Sequence, residues 1–333
     1  MPEISVIIPV YNASRYLPEC LESIMAQTFS DIEIICINDG STDNSLQILQ
    51  DFRQKDARIK IIDQKNAGVS AARNAGLAIA SGKYLGFVDG DDTVSGEYFQ
   101  KLLLEAERTG ADAVYSRFAK TTASDSEKVL NREEIISYLL PEFFKRDTYN
   151  SVCNKIFRAE TVKSGEHAFP TGTALGEDAY FNICFLVKAE RIAILEYSGY
   201  HYRDVPGSAT RNIAKHDYLK RIVEVYRTDW QPVIGDLISG QDMLKLKKIR
   251  LVNAIISLIY IYGNRGNDLT DRQRFTKLHE IVQHSDIVEV FSNLQLAEEL
   301  RLTKYANSIF MQIRKKNVFR LYLLTQYSYY RNR

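Results

Sequence analysis

Cysteine is scarce in this chain: four residues in 333, Cys20, Cys36, Cys153 and Cys184, with no CxxC pair. That excludes a disulfide framework and a thiolate zinc site, and it reads as reduced, mostly buried thiols of a cytosolic protein. Long apolar runs are missing too. The most apolar stretch, Leu251 to Tyr262, spans 12 residues and contains Asn253 and Ser257, whereas a membrane-spanning helix needs about 20. The N-terminal MPEISVIIPVYN has an acid at Glu3, no basic flank and too short an apolar run for a signal peptide. A cytoplasmic chain with no bilayer-crossing segment is therefore expected. No GxGxxG is present, and Gly82-Lys83 is followed by Tyr84 where a P-loop needs Ser or Thr. There is no internal repeat.

What the chain does have is ordinary globular composition, 45% hydrophobic and 26% charged, which rules out a disordered or low-complexity polymer. Its length suits one large domain with an appendage, or two domains. The net charge of +1 conceals an asymmetry. From Arg301 to Arg333 there are eight Lys/Arg and no Asp or Glu, so the rest of the chain is net acidic. Five tyrosines and two phenylalanines share that tail. A basic, aromatic tail on an acidic body points to an anionic surface. Peripheral docking at the inner face of a cell membrane is one reading. A solvated helical subdomain with inward tyrosines is the second, and a homodimer through apolar stripes such as Leu251, Ile255, Leu258 and Ile259 is the third. A nucleic-acid partner is not expected, because no recognised motif accompanies the charge.

The first 118 residues alternate apolar runs with amphipathic segments. Strands are predicted at Ile4–Val10, Glu33–Ile37, Arg58–Ile62, Tyr84–Val88 and Ala113–Arg117. Helices fall between them, with Ser14 and Ser95 as candidate N-caps and Ser41-Thr42-Asp43 opening the second. That alternation predicts an α/β fold with a parallel, doubly wound sheet. The middle, about 119–213, is mixed, with helices at Arg132–Leu140 and Ala179–Lys188 and a strand at Ile192–Glu196. From Ala214 onward only helical periodicity recurs, so the domains are placed at 1–213 and 214–333.

Ligands of open α/β sheets bind at the carboxyl ends of the strands. Here those ends read Pro9-Val10-Tyr11-Asn12, Asn38-Asp39-Gly40-Ser41 and Asp89-Gly90-Asp91-Asp92, and Arg73-Asn74 sits on the helix before the fourth strand. Taken singly, Asp39-Gly40 is also a turn signal, Tyr11 an ordinary rim aromatic and Arg73 a solvated helix residue. Three carboxylates in four residues are harder to explain structurally, since they repel one another unless a cation relieves them. An acidic rim of this kind suits a divalent cation bridging carboxylates to phosphates.

The runs Val6-Ile7-Ile8-Pro9-Val10-Tyr11-Asn12, Asn38-Asp39-Gly40-Ser41-Thr42-Asp43, Asn66-Ala67-Gly68, Ala72-Arg73-Asn74-Ala75-Gly76, Gly82-Lys83-Tyr84 and Phe87-Val88-Asp89-Gly90-Asp91-Asp92 together resemble family 2 inverting glycosyltransferases of the bacterial surface-polysaccharide type. The resemblance covers residues 4–118 and continues weakly through Gly176-Glu177-Asp178 and Tyr202-Arg203 to Ser208-Ala209-Thr210. It implies a GT-A fold, a nucleotide-sugar donor (a UDP-sugar first) and a glycan or lipid-linked glycan acceptor. It implies that Pro9, Tyr11 and Asn12 line the nucleotide, with Tyr11 stacking on the base and Asp39 accepting its N–H. Arg73 would lie beside the nucleotide, and Asp89 and Gly90 would face the ribose or donor sugar. Asp91, with Asp89, would hold Mn2+ or Mg2+, and Asp92 would support them. Asp178, with Glu177, matches the base motif, although an acid pair at a helix N-terminus is also stabilised by the dipole alone. Arg203 would supply charge to the diphosphate, and Asn154-Lys155 lies where relatives handle donor or acceptor.

Two rivals remain. Asp89-Gly90-Asp91-Asp92-Thr93 also fits a DxDxT phosphotransferase, with Asp89 as nucleophile and Mg2+ as cofactor, but that pattern normally follows a domain's first strand, and here it follows the fourth. A nucleotide-sugar-binding scaffold without turnover is the non-enzymatic alternative.

Overall fold

Strands apolar at nearly every position are those covered on both faces. Ile4–Val10 (β1) and Ile32–Asp39 (β2) are buried along almost their whole length. With Ile59–Gln64 (β3) and Tyr84–Phe87 (β4) they form a parallel quartet in which β1 lies between β2 and β4. Helices Leu17–Met25 (α1), Ser45–Lys55 (α2) and Val69–Ile79 (α3) connect them, and Tyr98–Thr109 (α4) follows the short strand Thr93–Val94 (β5). The computed structural model of the chain describes residues 1–118, 127–165, 168–171, 176–205, 217–263, 267 and 269–331, with side chains to 327.

The remaining strands are Ala113–Tyr115 (β6), Lys128–Leu130 (β7), Lys155–Arg158 (β8), Ile192–Ile194 (β9) and Tyr200–His201 (β10). The eight-stranded order is β3-β2-β1-β4-β8-β6-β9-β7, and β10 pairs with β5 in a separate two-stranded sheet. The predicted fifth parallel neighbour is corrected here. β8 inserts antiparallel between β4 and β6. Lys155-Ile156-Phe157-Arg158 is only four residues long and opens and closes with a cation, so it lacks both alternation and a long apolar run. Two predicted caps also fail. α1 begins after Tyr16 with Pro18 in its first turn, while the Ser14 N–H goes to Asp43. α4 begins after Glu97, and the Ser95 carbonyl instead accepts from Gln27 and the Tyr98 N–H. Ser41-Thr42-Asp43 likewise stops short of α2; the Asp43 carboxylate accepts from the Ser45 N–H at its first residue.

The amino end of the sheet is tied by one buried acid. Glu33, 5% exposed, accepts from Ser5 Oγ (2.5 Å), Lys60 Nζ (2.6 Å), and the Ser81 N–H (2.7 Å) and Oγ (2.8 Å), joining β1, β2, β3 and the approach to β4. Burial opposes its ionisation, but these donors outweigh it and hold the carboxyl at about 2, against an ordinary 4.5. Its contribution is therefore complete above pH 4.5 and is lost as pH falls through 2. The gap amounts to roughly 3 kcal/mol. In urea unfolding, wild type should exceed Glu33→Gln by most of that at pH 6, and the difference should shrink towards pH 2. A difference that does not change with pH would remove the carboxylate from this role.

The chain divides into two units, Met1–Phe143 with Asp147–Val205, and Phe144–Arg146 with Pro206–Arg333. The boundary read at 213/214, like Ser208-Ala209-Thr210, lies outside the described residues. The second unit is helical throughout its described residues. Its core gathers Leu251, Ile255, Leu258 and Ile259 from the helix Gly240–Gly263 with Leu278, Ile281, Ile309, Phe310 and Ile313. This corrects the dimer-stripe reading: those four residues are at most 1% exposed because they pack inside their own unit. Among the described residues no helix is long and apolar enough to cross a membrane.

Candidate active site at the carboxyl ends of β1, β2 and β4

The sheet order reverses direction at β1, whose neighbours are β2 on one side and β4 on the other. The crevice beyond such a switch point is where open α/β sheets bind ligands. The loops here are sewn together by side chains. The Asn12 Oδ1 accepts from the Thr42 N–H at 2.7 Å, the Asn12 N–H donates to Ser41 Oγ, and the Ala13 N–H donates to Ser45 Oγ. Asn12 takes a left-handed φ of 49°, which asparagine tolerates better than most residues. Tyr11 stands at the rim, 54% exposed, and Pro9 is half-buried in β1. Gly90 presses on this edge: a Cβ there would lie 3.3 Å from the Pro9 carbonyl oxygen.

Asp39, 3% exposed, organises the β3–α3 loop. Its Oδ1 accepts from Gln64 Nε2 (2.7 Å) and the Ala67 N–H (2.9 Å), and its Oδ2 from the Gly68 N–H (2.8 Å). Gly40 follows with φ +69°, and a Cβ on it would sit 2.6 Å from the Asn66 nitrogen. The Asp39-Gly40 pair is thus a turn and a loop clamp at once.

Arg73 is the centre of the site. The solvated-helix reading is corrected, since the residue is 3% exposed. Its Nη1 lies 2.7 Å from Asp178 Oδ1 and 3.6 Å from Glu177 Oε1, and its Nη2 lies 3.0 Å from Asp89 Oδ1. The guanidinium stands 5.2 Å over the Phe169 ring. Burial alone would push it down, but Asp178, Asp89 and Glu177 outweigh that and hold it up. The neighbouring Asn74 fixes the same segment, donating to the Phe169 carbonyl and accepting its N–H, both at 2.8 Å.

Asp178 and Glu177 occupy the first turn of the helix Glu177–Leu186. Burial raises both carboxyls above their ordinary values, and Arg73 only partly offsets it. The second oxygen of Asp178 accepts from the Val152 N–H at 3.3 Å. Asp178 retains 22% side-chain exposure, enough for contact with a bound group.

The acidic run after β4 separates into distinct environments. Asp89 keeps 36% side-chain exposure beside Arg73. Asp91 is pushed up by burial and by Asp89. Asp92 is 1% exposed; it accepts from the Tyr200 hydroxyl at 2.6 Å and the Arg203 N–H at 2.7 Å, and burial pushes it to about 7. Among the described residues no three His, Cys, Asp or Glu side chains converge as a complete metal cage. The donor set nevertheless fits a hard divalent cation of the kind that takes one or two carboxylates and completes its shell with substrate phosphate and water. Asp89 adds to the cost of ionising Asp91, which a cation between them would relieve.

Arg203 is drawn elsewhere. Its side chain pairs with Glu19 and lies 5.1 Å over the Tyr16 ring. His201 Nε2 is 2.8 Å from Ser95 Oγ. Lys155 is 0% exposed, with its ammonium on the carbonyls of Tyr149 and Ser151 and on Asn154 Oδ1. From there it props the 149–154 loop from inside, and burial lowers it to about 7. Sequence reasoning missed Tyr200, which is buried and joins the Asp89 N–H to Asp92. It also missed Phe169 and Glu19. Their partners lie some 95 to 184 residues away, and no local signal marks them.

The chain is similar to known glycosyltransferases. Residues 5–169 match the family described as glycosyl transferase family 2. The chain is 37% identical over 219 residues to an uncharacterized glycosyltransferase, EpsJ, of Bacillus subtilis, covering 63% of each chain. It is 30% identical over 272 residues to the poly(ribitol-phosphate) beta-glucosyltransferase of Bacillus spizizenii, covering 80% of this chain and 41% of that protein. It therefore spans less than two thirds of either relative. The crystal structure of S. aureus TarS 1–349 in complex with UDP-GlcNAc superposes with a TM-score of 0.65 at 20% identity, covering 99% of this chain and 92% of that one. The fold is of GT-A type, with a mostly parallel sheet and a helical C-terminal region.

Proposed function

Since this chain belongs to glycosyl transferase family 2, we propose that it moves a sugar from a UDP-sugar to a hydroxyl of a bacterial surface glycan, with inversion at the anomeric carbon. The glycosyltransferase domain in this reading is 1–213, and 214–333 is an accessory helical region. The observation that carries the proposal is Arg73 buried between Asp89 and Asp178. One cation couples the acid beside the donor site to the acid beside the acceptor.

Tyr11 and Pro9 receive the base, with Tyr11's exposed ring as the stacking surface, and Asn12 holds their loop. Asp39 aligns the Ala67–Gly68 backbone beneath it, and its Oδ2, which accepts from the Gly68 N–H, retains capacity for the base N–H. Asp91 and Asp89 would hold Mn2+ or Mg2+, which supplies charge neutralisation at the diphosphate. Gly90 lets that segment approach Pro9. Asp178 accepts the acceptor hydroxyl's proton as the oxygen attacks the anomeric carbon and the bond from that carbon to the diphosphate breaks, UDP leaving with the electron pair; its raised pKa makes Asp178 a better base than an ordinary aspartate. Arg73 holds Asp178 in place, and Glu177 adds to the acidic wall. A single base and in-line attack give inversion without a covalent intermediate. Arg203, paired with Glu19 through its side chain, reaches a diphosphate only by exchanging that partner.

Thermal unfolding with UDP, GDP, CMP and TMP, each with and without Mn2+, tests the donor site. Ligand at 100 times its Kd adds about 2.7 kcal/mol, so UDP with Mn2+ should raise the midpoint by several degrees. Asp91→Ala should abolish the Mn2+-dependent part while leaving the ligand-free midpoint near wild type. Unchanged Mn2+-dependent UDP affinity in that variant would remove Asp91 from its role. No shift with any nucleotide would overturn the donor site; a shift with UDP but no sugar transfer would favour the scaffold reading.

A further inference from the structure

We infer that the outer face of the helix Val318–Arg331 docks the protein on an anionic lipid surface. Helix periodicity places Phe319, Leu323 and Tyr327 four residues apart on one stripe. They are 63%, 48% and 61% exposed, while Leu321 and Thr325 on the opposite side are buried at 0% and 4%. The helix thus spends its inner face on the core of its unit and still presents three large apolar side chains to water. Such a run on a surface helix marks an interaction site more often than scattered single residues do.

Charge selects the occupant. Lys304, Arg314, Lys315, Lys316 and Arg320 are all exposed, and none has an acidic partner among the described residues. Lys315 and Lys316 lie in the turn before the helix and Arg320 next to Phe319, so cations flank the apolar stripe. From Arg301 to Arg333 there is no Asp or Glu. A second copy of the same face would set these cations against one another, whereas a bilayer of anionic headgroups over acyl chains matches both features. The core residues that could have supplied a dimer stripe are spent inside the unit.

Full-length protein should co-sediment with phosphatidylglycerol-containing vesicles at low salt, bind phosphatidylcholine vesicles weakly, and be released by 0.5 M NaCl. Each cation near such a surface is worth about a factor of five, so Arg314→Gln/Lys315→Gln/Lys316→Gln should weaken binding roughly a hundredfold. Phe319→Gln/Leu323→Gln alters only exposed side chains and should lose binding at unchanged midpoint and UDP response. Wild-type protein that ignores anionic vesicles, or a Phe319/Leu323 variant that binds them like wild type, overturns the inference. So does self-association without lipid, in sedimentation velocity, that the same variant abolishes. Because the UDP response is read separately, failure here is distinguishable from failure of the donor site.

Discussion

Asp178→Asn should retain UDP binding in the presence of Mn2+ and lose sugar transfer by two or more orders of magnitude, the scale of a general base. The substitution keeps the shape and the bond to the Val152 N–H but cannot take a proton. Arg73 keeps Asp89 and Glu177 as counter-charges, so folding should survive. In wild type, transfer should rise with pH through a value above the ordinary 3.8, because burial raises Asp178. The measurement is single-turnover transfer beside the UDP-induced thermal shift. Full transfer with intact binding would put the base elsewhere, and Glu177 would be tested next. Loss of both would mean that the change disturbed the donor site, not the chemistry.

Arg73→Met should be strongly destabilising. It leaves three carboxylates in a partly buried site without their shared cation. Removing one partner of a buried pair costs about 3–5 kcal/mol, and the value here should sit near the lower end because Asp89 and Asp178 retain some exposure. The sign with pH is specific. Without Arg73, Asp178 and Glu177 lose the charge that lowers them, so the penalty is largest where they are ionised. Wild type minus variant, in urea unfolding, should be greater at pH 8 than at pH 5. A penalty equal at both would mean that Arg73 acts through packing on Phe169 rather than through charge. Arg73→Lys should recover only part, since one ammonium cannot reproduce a planar fork that meets acids on two sides.

The strand-end half of the candidate site was legible in the sequence because its residues follow covered strands. Pro9-Val10-Tyr11-Asn12, Asn38-Asp39 and Asp89-Gly90-Asp91-Asp92 each follow an apolar run that can only be a covered strand, and the chain direction puts all three on one rim. The last 110 or so residues declared their helices by periodicity alone. β8 was not legible, because Lys155–Arg158 is too short for either period and its lysine reads as surface.

By itself, then, the sequence determined the strand–helix alternation, the acids at the strand ends and the excess of cations in the tail, since each is encoded within a few residues of itself. Tertiary structure alone decided what those groups do. It brought Asp178 to Arg73 across 105 residues and Tyr200 to Asp92 across 108. It turned Arg73 and Lys155 inward, and left Phe319 and Leu323 outside while burying Leu251 and Ile255. The reason is physical: a carboxylate's pKa, a lysine's burial and a helix's free face depend on what lies against them in space, and those neighbours are distant in the chain.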